Sequence, residues 1–149
     1  MSRWDEVIAA VGAAQQGREG GHEALLAQWE ATAVDDHAPR CVLAHYLADG
    51  EPELADEVVW DEVALKEYAL LADDALAAIG IPSARGMAPS LHLNLGDGYL
   101  RQGRVEEAQV QLAAGLESAD ALGDDGYGAL VLGGLERLAA HLATGAGDA

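Results

Sequence analysis

Apolar residues recur along this chain at spacings of three and four, and no stretch alternates apolar with polar residues. Spacings of three and four put side chains on one face of an α-helix, whereas a strand needs a period of two. The chain is therefore expected to be all-α. A first helix is expected over 3–16, capped by Ser2, with Trp4, Ile8 and Val11 on one face. The run Gly17-Arg18-Glu19-Gly20-Gly21 breaks it. A second helix over 22–33 carries Leu25, Leu26 and Trp29. Asp35 or Asp36 caps a third, which carries Val42, Leu43, Tyr46 and Leu47 and ends at Asp49-Gly50. Pro52 suits the first turn of a long fourth helix over 53–79, whose main face is Leu54, Val58, Leu65, Ala69, Ala72, Leu76 and Ile79. The stretch from Gly80 to Pro89 is the least helical and is expected to be a mobile loop. Three further helices follow, over 90–102, 105–121 and 127–143, the last two separated by Gly123-Asp124-Asp125-Gly126. The tail 144–149 is expected to fray.

Composition agrees with helices. Half of the 149 residues are apolar, so a chain of this length can bury a core. They are mainly Ala, Leu and Val, with no Phe, three Trp and four Tyr. Small residues with Leu suit close helix packing better than a sheet. A single Lys and a single Asn among many Ala, Gly and Arg suggest a bacterial source. The formal net charge of −18 argues against nucleic acid and against an anionic membrane surface, because both are bound by basic residues. A basic partner, or simple solubility, remains. Cys41 is the only cysteine, so no internal disulfide can form, and its apolar surroundings read as a buried thiol. The acidic start Met1-Ser2-Arg3-Trp4-Asp5-Glu6 does not resemble a secretion signal, and no apolar run approaches membrane-spanning length. Cytoplasmic location is the resulting expectation.

Residues 89–122 show a pattern of small and large residues at fixed offsets. Leu95-Gly96 is followed by Tyr99, Ala108, Leu112 and Gly115, and Arg101-Gln102-Gly103-Arg104 makes a turn between two helices. The segment resembles a tetratricopeptide repeat, a helical hairpin whose small residues let its helices approach closely while large ones fill the space beside. It departs from that pattern at His92, where Trp is usual, and at Asp120, where Pro often stands. Weaker copies lie near 5–36 and 37–70, and 127–143 would be a capping helix. The resemblance implies a single domain over 1–143, with helix pairs stacked as a short right-handed superhelix. It also implies binding along the concave face built by the first helix of each pair. Carried onto 89–122, the places facing that surface are Ser90, Leu93, Asn94, Asp97, Leu100 and Arg101. The function implied is an adaptor that binds a protein or peptide, with a second copy of the chain as another possible partner. Asn94 would hold a peptide backbone, Asp97 a cationic group and Arg101 a carboxylate.

Residue chemistry supports a rival reading. Asp61 falls on the apolar stripe between Val58 and Leu65, where a carboxylate needs a Tyr, Arg or His partner unless its face lines a groove. His92 lies beside Gly96 and Tyr99 on its helix and reads first as a packed, hydrogen-bonded side chain. Were Asp61 and His92 to share a polar cavity with the 80–89 loop, a small enzyme or ligand-binding protein would result. No catalytic triad or cofactor motif stands out. Asp35-Asp36-His37 reads as a helix cap before it reads as metal ligands, so neither metal nor cofactor is expected.

Overall fold

The structure is a computed structural model that describes residues 3–144. Among them are seven α-helices and no strand. The helices are α1 (Arg3–Gln15), α2 (Gly21–Ala31), α3 (His37–Asp49), α4 (Leu54–Tyr68), α5 (Ala88–Arg101), α6 (Val105–Glu117) and α7 (Gly126–Ala143). Each packs against the next in sequence, α1 also meets α3, and α5 also meets α7. None is long and apolar enough to cross a membrane.

Several boundaries differ from expectation for local reasons. Helix α4 stops at Tyr68 instead of running to Ile79. Beyond it, Asp73 is engaged by the following segment. Its carbonyl accepts from the Ala84 amide at 2.7 Å, and its carboxylate accepts from Ser83 Oγ at 2.6 Å. These ties turn the chain, and Leu76 reaches the core from a bend instead of from a helix face. The segment 80–89 is tied down as well. Arg85 donates to the Glu117 carbonyl at 2.9 Å and to Asp120 at 2.8 Å. Pro52 precedes α4 instead of entering its first turn. Asp36 stands before α3, but its carboxylate turns back to the Ala33 amide and makes no cap bond to the helix. In α1 the buried positions are Val7 and Ala10, while Ile8 is exposed. The cap assigned to Ser2 and the tail beyond Thr144 lie outside the described residues.

Two apolar clusters make the core. The first joins Val7, Leu25, Cys41, Leu43, Leu47, Ala64 and Leu76 from the first four helices and the segment after them. The second gathers Val58, Leu95, Tyr99, Ala108 and Leu138. Helix α5 contributes Leu91 to the first and Leu95 to the second, so it links the two. Close approach around α5 depends on glycine. A Cβ on Gly96 would lie 2.9 Å from Leu138 Cδ2, 3.3 Å from Gln111 Cβ and 3.6 Å from the Ala108 carbonyl. The tightest neighbour of Gly96 is thus α7, with α6 next. One on Gly98 would lie 2.9 Å from Val58 on α4.

Polar ties fix the N-terminal helices. Glu67, buried on α4, accepts from His37 Nδ1 at 2.6 Å and from Arg40 Nε at 3.3 Å. The Arg40 guanidinium sits 4.0 Å over the Trp29 ring, which meets Trp60 edge-on at 5.0 Å. A cation between a carboxylate and an aromatic face is held from both sides. His37, next to the aspartates that suggested a cap or metal, therefore goes to this network.

Candidate functional site

Ser90, Asn94, Asp97 and Arg101 follow one another at four, three and four residues, so α5 carries them as one stripe. Ser90 is buried, donates to the Met87 carbonyl at 3.0 Å and accepts from the Tyr127 hydroxyl at 2.9 Å. Leu100 is buried too, and Leu93 packs where Gly134 of α7 has no side chain. Asn94 is half-buried, and its Nδ2 donates to His45 Nδ1 at 3.4 Å. Asp97 pairs with Arg101 Nε at 2.9 Å, and the rest of the Arg101 guanidinium is held by Glu57 of α4. Arg101 is therefore engaged on both sides and is not free to receive a partner's carboxylate as expected. A cleft of about 270 Å³ runs beside Asn94 and Asp97, and its opposite wall is Arg137, Leu138 and His141 of α7.

Asp61 is brought to this same stripe. It is 3% exposed and has no hydrogen-bond or ion-pair partner among the described residues. Burial pushes its carboxyl up to about 8, nearby Glu57, Asp49 and Asp97 push the same way, and Arg101 opposes them. Asp49, at the end of α3, is raised as well, by burial and then by Glu57. Asp61 thus has three other carboxyl groups near it and Arg101 as the opposing charge, while Arg137 and His141 of α7 stand across the cleft from Asp97. Among the described residues, Asp61 lacks the Tyr, Arg or His partner that its buried place demands.

His92 stands elsewhere. Its Nδ1 meets Gln111 Oε1 at 2.7 Å, inside the pair made by α5 and α6. Asp61 faces groups on α3, α4 and the end of α5, and the two share no partner among the described residues. Cys41 is buried, and burial followed by the Glu67 charge raises its thiol to about 12, which leaves it a poor nucleophile.

His45, Asp49, Glu57 and Tyr127 were not among the expected site residues. Glu57 and Asp61 do stand one turn apart, a readable pairing of acids, and His45 lies one turn from Cys41 on a buried face. Nothing local reports that these residues meet α5. Comparison with known protein families, with curated proteins and with solved structures finds no match.

Proposed function

We propose that this protein is a tetratricopeptide-like binding module, and that it takes a basic peptide segment along the α5 stripe. The observation that carries this reading is Asp61, a buried carboxyl with no hydrogen-bond or ion-pair partner among the described residues, beside Asp49, Glu57 and Asp97 and opposed by the Arg101 charge. At pH 7 the Asp61 carboxyl keeps its proton, and an approaching lysine or arginine side chain would displace that proton and pair with the carboxylate in a poorly solvated place, where a charge-assisted bond is stronger than in water. Asn94 stands one turn away with donors and an acceptor for a peptide backbone. Two of the neighbour relations expected of stacked pairs support this reading, since α1 meets α3 and α5 meets α7 across the hairpins, whereas the middle of the chain is joined mainly by α4 against α5. The net charge of −18 would speed the approach of a basic segment and make binding weaken as salt rises.

The test is a random twelve-residue peptide library displayed on phage and selected against the folded protein. Enriched peptides are expected to carry Lys or Arg. Binding of the best one should fall at least tenfold in the double variant Asn94→Ala, Asp97→Ala. It should be unchanged in Glu106→Ala, on the exposed face of α6. Circular dichroism checks that each variant keeps its helices. Selection that yields no basic peptide, or binding that survives the double change in the folded variant, refutes the proposal.

A further inference from the structure

A second, chemically different cavity lies at the other end of the same stripe. It holds about 250 Å³ between α3, the segment before α5, and the start of α7. Val42, Ile79, Ile81 and Met87 give it apolar walls, and no Asp, Glu, Lys or Arg lines it. Small-molecule pockets usually start at about 300 Å³. At about 250 Å³ this cavity falls just below that size, and it has room for one aliphatic side chain.

Its polar groups are few and sorted. The Tyr127 hydroxyl donates to Ser90 Oγ, and Ser90 donates to the Met87 carbonyl, so that chain is closed upon itself. His45 is different. Burial lowers its pKa to about 4, so the ring is neutral at pH 7. Its Nδ1 lies 3.4 Å from the Asn94 amide nitrogen, and its Nε2 has no partner among the described residues. Tyr46 meets the same ring edge-on at 5.0 Å, and its hydroxyl is likewise without a partner. The cavity therefore offers apolar walls and a lining that includes His45 and Tyr46, with no charged side chain among the described residues that line it. A guest should be apolar and carry a carbonyl at its rim, as an aliphatic residue within a peptide does.

Geometry relates this cavity to the acidic cluster of Asp49, Glu57, Asp61 and Asp97. Ser90 lines the cavity, and Asp97, one of the carboxylates near Asp61, stands seven residues further along α5. At 1.5 Å per residue the separation along the helix is about 10 Å. An extended chain advances roughly 3.3 Å per residue, so about three residues cover that distance. Asn94 stands between the two sites and touches His45.

We infer that the cavity beside His45 and Ser90 receives an aliphatic side chain of the partner peptide, about three residues from the basic side chain held at the acidic cluster around Asp61. This rests on the basic-peptide reading and adds a second anchor and a spacing to it. The aliphatic anchor would supply apolar burial, and the basic one would fix the register.

Two probes separate the parts. N-acetyl-leucinamide carries an aliphatic side chain and carbonyls but no charge. Followed by amide and imidazole NMR shifts, it should perturb His45, Ser90 and Tyr127 at millimolar concentration and leave Asp97 unmoved. Ile81→Trp, which fills the cavity from its loop side, should abolish those shifts. The second probe is a set of Gly-Ser heptapeptides bearing Leu and Lys, titrated against the unaltered protein. With the two residues three apart, binding should be at least tenfold tighter than with Leu replaced by Gly, or with the two adjacent. Absence of leucinamide shifts at His45, together with indifference to the Leu replacement, would overturn the anchor while Lys-dependent binding left the basic-peptide reading standing. Leucinamide binding without any effect of Lys would keep the cavity as an aliphatic site and overturn the basic-peptide reading instead.

Discussion

Replacing Asp61 by Asn should stabilise the protein at neutral pH, and the gain should depend on pH in a defined way. In the folded chain, burial first and then Glu57, Asp49 and Asp97 hold the carboxyl at about 8. Once unfolded, the group returns to its ordinary 3.8. A group raised by folding contributes its full stability below the unfolded value and loses it as pH rises to the folded one. Between 3.8 and 8, then, the unfolded chain releases a proton that the folded chain keeps, and each pH unit costs about 1.4 kcal/mol. At pH 7 the accumulated penalty is about 4 kcal/mol, as an upper bound. Asn cannot ionise, so the variant escapes it. The extra amide donor is left unmet and returns about 1–3 kcal/mol of cost, equally at every pH. Urea unfolding of parent and variant, followed by circular dichroism at pH 5, 6, 7, 8 and 9, isolates the titrating part. The stability difference should widen by about 1.4 kcal/mol per unit from pH 5 to 7 and level off above 8. A difference that stays constant over that range would mean that Asp61 ionises normally in the fold. The unmet buried carboxyl that carries the proposed function would then be wrong.

Two other changes test packing and reactivity. Gly96→Leu places a side chain where Leu138 and Gln111 already stand within 3.3 Å of the first added carbon, so urea unfolding should show a loss of roughly 1–3 kcal/mol; an unchanged midpoint would mean that α5, α6 and α7 do not meet there. Cys41, fully buried with its thiol raised to about 12, should resist iodoacetamide at pH 8 and react fully once urea unfolds the chain, as read by mass spectrometry; ready modification of the folded protein would contradict the N-terminal core.

Helix identity and order were legible because each helix writes its own spacing and its own break. Gly17 to Gly21, Asp49-Gly50 and Gly123 to Gly126 mark ends that local chemistry alone enforces. The burial of Asp61 was legible for the same reason, since helical phase put it on a stripe of apolar neighbours. The early end of α4 was not, because apolar spacing continues through Ile79. Beyond Tyr68 the chain goes into turns, and Asp73 there is held by Ser83 and Ala84, about ten residues on, a tie that helical spacing does not report.

The site divides along the same line. Its stripe on α5 is a property of one helix, and sequence alone determined that Ser90, Asn94, Asp97 and Arg101 share a face. Only the tertiary structure decided what that face meets. It gives Arg101 to Glu57, Asn94 to His45 and Ser90 to Tyr127, and it sends His92 to Gln111 and away from Asp61. Helical period fixes the direction of a side chain about its own axis. It carries no information on which other helix lies in that direction, because that depends on packing among segments tens of residues apart.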